Sequence, residues 1–400
     1  MVKLSQSIKR IRPSATIAAT QKASELKAAG KDIIGLGAGE PDFDTPDNIK
    51  NAAIRAIHQG KTKYTTVDGT SELKDAIQCK FKRENNLEYS LNEISVGAGG
   101  KQIIFNAFAV TLNKGDEVII PTPYWVTYPA VVNYFDAIPV FVKCSEENDF
   151  KITPIQLETT LSHSTKWFVL NSPSNPTGAC YSKKELEDLA SVLKKYPQVN
   201  ILTDDLYEHL IYDGFSFHTI AEIEPQIKDR VLTLNGVSKA YAMTGWRIGY
   251  AGGNEELIKA MAKLQSQSTS NPSSISQAAA VEALNGDNSF IFDRLQIFQK
   301  RRDKLVRELN SMSGISCKKP EGAFYVFPSC KEILGMQTTN NKVINNDKEF
   351  ASALLEFAGV AIVPGSAFGF ENYFRISYAA SDENLENACK RIKQFCKNLI

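Results

Sequence analysis

The stretch VLTLNGVSKAYAMTGWR, residues 231–247, joins a short apolar run to a turn of small residues that holds Lys239 and, eight positions later, Arg247. The first residues of the stretch have the composition of a buried strand, which Asn235 and Gly236 bring to an end. A lysine at the end of a buried strand is a candidate for lowered basicity and amine nucleophile chemistry. The alternative is an ordinary surface lysine, since most lysines are exposed.

Similar apolar runs recur along the chain and predict six further strands: EISVG (93–97), DEVIIP (116–121), IPVFV (138–142), KWFVLN (166–171), NILTD (200–204) and IGYAGG (248–253). Helical periodicity lies between several of them, as in residues 101–113 and 182–196, the latter opening with a capping-box pattern at Ser182 and Glu185. Alternation of this kind predicts an α/β fold, whose large domain holds a mostly parallel seven-stranded sheet covered by helices.

The chain has 400 residues, more than one hydrophobic core usually holds, so more than one domain is expected. From about residue 290 the pattern changes to a long charged helix, three short strand-like segments and a closing helix, which predicts a smaller α+β domain. We predict an N-terminal segment packing with the small domain (1–45), a large domain (46–290) and a small domain (291–400). The longest loops are expected at 35–48 and 334–347.

Composition excludes several classes of function. The formal net charge is +1 and no run of Lys or Arg is dense enough for a nucleic-acid surface. The opening residues lack the apolar core of a signal peptide, and the apolar stretches are too short to span a membrane. Seven cysteines without a CxxC motif fit reduced thiols of a cytoplasmic protein, and four dispersed histidines make a metal centre unexpected.

In open α/β sheets ligands bind at the carboxyl ends of the strands, so the residues that follow the predicted strands are the informative ones. AGGK (98–101) opens a helix whose backbone N–H groups could bind an anion, although an ordinary glycine turn is an equal alternative. Asn175 lies in the turn-rich SPSNPTG (172–178), which could equally be a plain loop. Asp204 and Asp205 end a strand, where a buried carboxylate needs a cationic partner and a helix N-cap is the alternative.

Taken together, these strand-end groups match one cofactor. Pyridoxal phosphate needs an anion site for its phosphate, a carboxylate to keep its pyridine nitrogen protonated, and an amine for a Schiff base. A helix start, an aspartate and a lysine follow successive predicted strands in this chain. Their shared placement predicts a pyridoxal-phosphate site more strongly than any of them alone.

Motifs along nearly the whole chain resemble the class I aminotransferases of fold-type I. The resemblance is to bacterial aspartate aminotransferases of the one-beta subgroup, some of whose members also transaminate prephenate. It is carried by GAGEPDFDTP (37–46), GKTKYT (60–65), VGAGGKQ (96–102), PYWVTYP (123–129), NSPSNPTGA (171–179), DDLYEHLIYDG (204–214), SKAYAMTGWRIGY (238–250), GAFYVFP (322–328), VAIVPGSAFG (360–369) and FRISYA (374–379).

The resemblance implies a role for each residue around the cofactor ring. Lys239 would carry pyridoxal phosphate as a Schiff base and act as the catalytic residue. Asp204 would face the pyridinium nitrogen and Tyr207 the 3-oxygen. Asn175 would bind that oxygen and the substrate, and Trp125 would stack on the ring, next to the substrate.

The resemblance also implies a phosphate site. Gly99, Gly100 and Lys101 would open the phosphate-binding helix, and Arg247 would pair with the phosphate bidentately, which suits a guanidinium. Tyr64 resembles a tyrosine that reaches the phosphate from a neighbouring subunit, so the resemblance implies a homodimer.

This sequence departs from the family pattern at two positions. Gly236 stands where many members have a phosphate-binding serine, so Ser238 or other donors would share that task. Asp205 stands where relatives often have Glu. Neither change removes a group that the chemistry requires.

The substrate side is implied by four residues. Arg375 would clamp the α-carboxylate with the backbone of Gly39 nearby, Lys101 would bind the distal carboxylate, and Arg12 falls where a basic residue is associated with prephenate. Lys101 as a helix cap and Arg12 as a surface charge are the alternatives.

The expected activity is therefore reversible transfer of the amino group from L-aspartate to 2-oxoglutarate, with possible amination of prephenate to arogenate. Alternatives are an aminotransferase of aromatic or alanine specificity, or a carbon–sulfur lyase or acyl-transferring synthase of the same fold. A ligand-sensing regulator would need a DNA-binding module, and no basic helix-turn-helix pattern is present. A nicotinamide dehydrogenase is disfavoured by the absence of GxGxxG.

Overall fold

The computed structural model describes residues 2–400. Their α-helices are α1 (Gln6–Lys9), α2 (Ala15–Ala28), α3 (Asp47–His58), α4 (Ser71–Asn85), α5 (Gly100–Thr111), α6 (Thr127–Tyr134), α7 (Pro154–Thr160), α8 (Lys183–Leu193), α9 (Ile220–Ile223), α10 (Glu255–Ser266), α11 (Ser274–Asn285), α12 (Ser289–Asn310), α13 (Asp347–Ala358) and α14 (Asp382–Lys397). Their strands are β1 (Ile34–Gly35), β2 (Ile94–Gly97), β3 (Glu117–Thr122), β4 (Ile138–Lys143), β5 (Thr165–Asn171), β6 (Asn200–Asp204), β7 (Val231–Gly236), β8 (Gly249–Gly252), β9 (Tyr325–Val326), β10 (Val360–Ala361), β11 (Val363–Pro364) and β12 (Phe374–Ser377).

The largest sheet has seven strands in the order β2-β8-β7-β6-β5-β3-β4. The strands from β3 to β7 pair in parallel, whereas β8 runs antiparallel to both β2 and β7. Each of the seven strands coincides with one of the predicted apolar runs. Parallel strands that are covered on both faces have continuous apolar sequences. The sequence therefore predicted these strands as apolar runs. The predicted α/β fold with a mostly parallel seven-stranded sheet is confirmed.

Helices cover both faces of this sheet. Alternate strand residues point to opposite sides, so Ile119 of β3 packs in one hydrophobic cluster and its neighbours Val118 and Ile120 pack in another. The first cluster is closed by α3, α4, α8 and α11, and the second by α5, α6 and α10. The predicted capping box is present at the start of α8, where the Ser182 hydroxyl and the Glu185 carboxylate each accept a backbone N–H bond.

The C-terminal part has its own core, and the N-terminal segment packs on it. A hydrophobic cluster joins α12, α13 and α14 to the three-stranded sheet β11-β12-β9, and it includes Ile34 and Leu36 from near the start of the chain. β1 pairs in parallel with β10, with Ile34 opposite Val360. The domain limits at residues 45 and 290 stay a prediction. Among residues 2–400 no helix combines the length and the apolar composition that a membrane crossing needs.

Candidate active site

A cavity of about 500 Å³ lies at the carboxyl ends of the parallel strands, where residues from the N-terminal segment and the C-terminal part close over the sheet. Most of the predicted site residues line it: Gly39, Gly100, Lys101, Trp125, Asn175, Asp204, Tyr207, Ser238, Lys239, Arg247 and Arg375. These residues share one cavity because β2, β5, β6 and β7 all end there, as the strand-end rule predicts, and their roles stay a prediction.

Asp204 is the last residue of β6 and is buried in the wall of the cavity. Its carboxylate accepts a hydrogen bond from the Tyr128 hydroxyl at 2.6 Å and lies 3.4 Å from the backbone N of Leu206. Burial raises the pKa of Asp204, while these hydrogen bonds and the charge of Lys239 act in the opposite direction. A buried carboxylate of this kind is suited to hold a protonated ring nitrogen, because that cation would offset its desolvation.

Asp205 follows Asp204 but points to the other side of the sheet. Its carboxylate accepts the Thr203 hydroxyl at 2.7 Å, and its second oxygen has no partner among residues 2–400. Burial raises the pKa of Asp205 to about 8. The two adjacent carboxyl groups therefore sit in separate environments, and only Asp204 lines the cavity.

Lys239 lies three residues after the end of β7 and is half-buried. Its side chain lines the cavity, with Nζ over the ring of Tyr207. Its Nζ donates to the carbonyl oxygen of Gly39. Burial, followed by the positive charge of Arg375, lowers the pKa of Lys239 to about 8, against the opposing charges of Glu40 and Asp204. At pH 7 about a tenth of the amine is then unprotonated, far more than for a lysine of ordinary pKa, and the unprotonated form is the one that acts as nucleophile and base.

The N-terminus of α5 and the guanidinium of Arg247 form a site for an anion. Gly99 caps the helix with φ of 89°, and a Cβ at this position would collide with the guanidinium of Arg247. Arg247 donates to the carbonyl oxygens of Thr244 at 2.9 Å and Ala98 at 3.2 Å, and it is exposed to solvent. Free backbone N–H groups at a helix start, with a guanidinium beside them, are the arrangement that binds phosphate groups.

The structure explains the glycine at position 236. Gly236 pairs with Gly249 across β7 and β8, and an added Cβ would lie 3.0 Å from Leu206 Cδ1 and 3.1 Å from the Ile248 carbonyl oxygen. A serine there would therefore be tightly crowded. Gly236 is not part of the cavity lining, whereas Ser238 is, so Ser238 is the hydroxyl of this segment that a ligand in the cavity can contact.

Arg375 lies in β12 on the opposite side of the cavity and is 2% exposed. Its guanidinium donates to Asn175 Oδ1 at 2.8 Å and to the Gly37 carbonyl oxygen at 2.6 Å. It also stacks 4.4 Å from the ring centre of Tyr325, and its Nε has no partner among residues 2–400. A buried cation without a carboxylate partner is a site where a carboxylate ligand can bind.

Trp125 and Lys101 lie together at the cavity wall. The Lys101 ammonium is 5.2 Å from the Trp125 ring centre, and the indole meets the ring of Tyr128 edge to face at 5.5 Å. Burial and the charge of Arg247 lower the pKa of Lys101. Lys101 is exposed, whereas Arg375, which lines the same cavity, is buried.

Three predicted site residues lie outside the cavity lining, and one of them, Gly99, is next to the lining residue Gly100. Tyr64 is 92% exposed, and Arg12 is exposed in the loop before α2. Thr16, four residues after Arg12, does line the cavity. A single chain thus does not bring Tyr64 or Arg12 to the ligand site, and their roles stay predictions.

Two residues that contribute to the candidate site were not identified from the sequence. Tyr128 bonds Asp204, and the hydroxyl of Tyr325 lies 2.8 Å from that of Tyr207. Both belong to quoted motifs, PYWVTYP and GAFYVFP, and the only signal was that a buried tyrosine hydroxyl needs a partner. The partners of these tyrosines are 76 and 118 residues away along the chain, so local sequence could not identify them.

The chain resembles known proteins over its full length. Residues 31–392 match the family model described as aminotransferase class I and II. An aspartate/prephenate aminotransferase of Cereibacter sphaeroides is 58% identical over all of both chains. The aspartate aminotransferase structure from Rhizobium meliloti has a TM-score of 0.97 and 53% identity over all of both chains. The structure of the Thermus thermophilus aspartate aminotransferase with maleate has a TM-score of 0.93 and 42% identity. The match covers 99% of this chain and 100% of the other.

Proposed function

The chain belongs to the class I and II aminotransferases, enzymes that depend on pyridoxal phosphate, and we propose that it transfers the amino group of L-aspartate to 2-oxoglutarate, giving oxaloacetate and L-glutamate. What supports this proposal above all is that two cations, Arg375 and Lys101, line the same cavity as Lys239. A substrate with a carboxylate at each end needs one cation for each, with the reacting carbon between them.

The residues present fit pyridoxal phosphate. The absence of a side chain at Gly99 lets the Arg247 guanidinium lie against the start of α5, so a cation stands beside the helix N–H groups that would hold the phosphate. We assign the phosphate to the backbone N–H groups of Gly99, Gly100 and Lys101 and to the side chains of Ser238 and Arg247. The ring nitrogen is assigned to Asp204, the ring oxygen to Tyr207 and Asn175, the ring face to Trp125, and covalent attachment to Lys239. When bound, the cofactor supplies an aldehyde carbon that accepts amines and a ring that stabilises negative charge at the substrate Cα.

Lys239 is assigned as the group that moves the proton. Its Nζ takes the proton from the Cα of the bound amino acid, which an amine of pKa about 8 can do near neutral pH. Asp204 keeps the ring nitrogen protonated, because its buried carboxylate is stabilised by that positive charge. Tyr128 holds the carboxylate in place through its hydroxyl.

Arg375 is assigned to the α-carboxylate of the substrate. Asn175 and Gly37 already hold two of its nitrogens, so the guanidinium is fixed in position before the substrate arrives. A preorganised bidentate clamp aligns the Cα–H bond for Lys239, and positioning of this kind contributes several kcal/mol to the rate. The backbone at Gly39, next to Lys239 Nζ, lies on the same side.

Lys101 is assigned to the distal carboxylate. It lines the same cavity as Arg375, and the related Thermus thermophilus enzyme was solved with maleate, itself a dicarboxylate. Substitution of Lys101 by Ala is expected to lower kcat/KM for aspartate about tenfold, equal to about 1.4 kcal/mol, and to leave kcat/KM for tyrosine nearly unchanged. The matched control is Lys143→Ala, an exposed lysine over the ring of Phe370 outside the cavity. An unchanged aspartate value in Lys101→Ala contradicts the assignment.

Prephenate is the second proposed amino acceptor, with glutamate as donor. The Cereibacter sphaeroides relative is named for both aspartate and prephenate, and prephenate also has two carboxylates. Arg12 lies four residues before Thr16, which is at the cavity, so a small movement of the N-terminal segment would bring its charge near a long substrate. We expect Arg12→Ala to lower kcat/KM for prephenate more than for aspartate. An equal effect on both substrates speaks against this role.

Besides the amino-acid and 2-oxo-acid substrates, we propose a second copy of this chain as a partner, so that the enzyme is a homodimer. Tyr64 is 92% exposed and does not line the cavity of its own chain, which fits contact with a ligand in another subunit, as the family resemblance implies. Ile54 and Ile57 on α3 are also about half exposed, at 49% and 51%. We further propose a cytoplasmic location, which fits the seven free cysteines.

A carbon–sulfur lyase of the same fold would share Lys239 and Asp204. Such an enzyme releases ammonia, whereas an aminotransferase forms glutamate from 2-oxoglutarate without ammonia. Product analysis with aspartate and 2-oxoglutarate separates the two activities.

A further inference from the structure

The segment that joins β7 to β8 carries three of the assigned cofactor ligands, Ser238, Lys239 and Arg247, on a strained backbone. Residues 237–247, named here the lysine loop, hold Lys239 near their start and Arg247 at their end. Two non-glycine residues of the loop are left-handed, Ala242 with φ of 51° and Arg247 with φ of 57°. This conformation is disfavoured for residues with a side chain and persists where surrounding contacts enforce it.

A single hydroxyl from a distant part of the chain makes such contacts. Thr45 lies just before α3, and its hydroxyl donates to the carbonyl oxygen of Ala242 at 2.6 Å. The Thr45 hydroxyl oxygen in turn accepts a hydrogen bond from the indole N–H of Trp246 at 2.9 Å. Thr45 therefore holds the lysine loop at its first left-handed residue and at the residue immediately before the second.

The position of Arg247 depends on the lysine loop, because its guanidinium bonds the loop itself. It donates to Thr244 within the loop at 2.9 Å and to Ala98, beside the start of α5, at 3.2 Å. Any shift of residues 242–246 would move the guanidinium away from the helix start. Thr45 does not line the cavity, so it can influence the phosphate site only through the loop.

We propose that Thr45 is a positioning residue for the phosphate site: its hydroxyl fixes the lysine loop and thereby sets Arg247 against the N-terminus of α5. This inference rests on the proposed function, since it takes Arg247 as a ligand of the cofactor phosphate. It adds a positioning residue from the N-terminal segment to a site whose phosphate ligands within one chain are assigned to residues 99–101, 238 and 247.

Thr45→Val keeps the shape of the side chain and removes both hydrogen bonds, whereas Thr45→Ser retains the hydroxyl. The matched control is Thr111→Val at the end of α5. There the hydroxyl makes the same pair of bonds, to the Ala107 carbonyl oxygen at 2.6 Å and from the Trp167 indole at 2.9 Å, away from the cavity. Holoenzymes of wild type and variants are dialysed to equilibrium against graded pyridoxal phosphate, and the cofactor retained per chain is measured.

We expect Thr45→Val to raise the dissociation constant of pyridoxal phosphate about tenfold, and Thr45→Ser and Thr111→Val to stay within roughly twofold of wild type. Hydrogen exchange in residues 237–247 should be faster in the Thr45→Val holoenzyme alone. Unchanged affinity in Thr45→Val, or equal weakening in Thr111→Val, overturns the inference.

Should Thr45→Val not fold, Trp246→Phe removes one of the two hydrogen bonds. This variant is expected to weaken the affinity for pyridoxal phosphate severalfold, and an unchanged affinity overturns the inference. A wild-type protein that retains no pyridoxal phosphate would contradict the proposed function instead.

Discussion

At the residue scale, the chemistry of this protein depends on which side of a strand a side chain occupies. Asp204 and Asp205 are adjacent in the chain, yet one lines the cavity and bonds Tyr128 while the other is buried against Thr203 on the opposite face. The position of Lys239 also depends on the strands, because it lies three residues after the end of β7, which pairs with β6. Side-chain identity alone would not distinguish these carboxyl groups, whereas the alternation of strand residues does.

The first prediction at this scale concerns Lys239. Lys239→Ala should abolish covalent attachment of pyridoxal phosphate, because no other amine is placed beside Asp204 and Tyr207 in the cavity lining described here. Borohydride reduction followed by peptide mass mapping measures the adduct. Lys101→Ala, a lysine of the same cavity, is the control and should keep the adduct on residue 239. A reducible lysine adduct that survives in Lys239→Ala would contradict the assignment of Lys239 as the site of attachment.

The second prediction concerns Asp205, whose pKa is raised by burial from 3.8 to about 8. Between these two values the folded protein holds a proton that the unfolded chain has released. The resulting stabilisation is complete below about pH 4 and is lost as the pH rises through about 8, with a slope of up to about 1.4 kcal/mol per pH unit. Asp205→Asn should therefore weaken the decline of the unfolding free energy between pH 5 and pH 8.

Urea unfolding at several pH values measures this slope. Asp293→Asn, at an exposed carboxyl group of α12, serves as the control and should leave the slope unchanged. An Asp205→Asn variant with the wild-type slope would show that another group, such as Asp204, causes the pH dependence.

At the element scale, the junction of β2 with α5 shows how close packing creates the anion site. Gly99 and Gly249 are both glycine for steric reasons, since a Cβ on Gly99 would meet Arg247 and a Cβ on Gly249 would meet the backbone at Gly100. The start of α5 can therefore approach both β8 and the arginine. The helix contributes its N-terminal N–H groups and partial positive charge only because these side chains are absent.

Gly99→Ala tests this junction. The variant should lower affinity for pyridoxal phosphate by tenfold or more, about 1.4 kcal/mol, because the new methyl group displaces the Arg247 guanidinium. Gly115→Ala is a close match, since its φ of 88° equals the 89° of Gly99 to within a degree and nothing lies within 4 Å of its added Cβ. Both variants place a side chain at a positive φ of nearly the same size. Equal loss of cofactor affinity in the two would mean that strain, and not the collision, is the cause.

At the scale of the whole molecule, the site is assembled from parts that are far apart in sequence. Gly39 comes from the N-terminal segment, Asp204 and Lys239 from the seven-stranded sheet, and Arg375 from the three-stranded sheet of the C-terminal part. Arg375 bonds Asn175 across 200 residues and Gly37 across 338. The proposed substrate clamp therefore forms only when these distant segments are folded together.

The prediction at this scale concerns the homodimer. Tyr64→Phe should lower the affinity for pyridoxal phosphate severalfold, because one hydroxyl donated from the partner contributes about 1 kcal/mol, and should leave the dimer intact. Equilibrium dialysis and analytical ultracentrifugation measure the two properties. Tyr196→Phe, a half-buried tyrosine outside the cavity, is the control. A wild-type chain that is monomeric at working concentration and fully active would contradict the shared site.

The sequence by itself determined the fold class, the seven strands and the main groups of the site. It could do so because the parallel strands are buried on both faces and appear as uninterrupted apolar runs, and because ligand groups of such sheets follow the strand ends. Asp204 and Lys239 follow β6 and β7 by these rules. The motif resemblance then supplied roles that composition and spacing left open, such as those of Tyr207 and Arg375.

Only the tertiary structure decided which distant groups meet. It showed that Tyr128 bonds Asp204, that Thr45 bridges Ala242 and Trp246 across some two hundred residues, and that Gly236 is crowded by Leu206. It also left Arg12 and Tyr64 outside the cavity lining of one chain. The physical reason is that hydrogen bonding and packing act over a few ångströms in space, whereas periodicity and motifs describe neighbours along the chain.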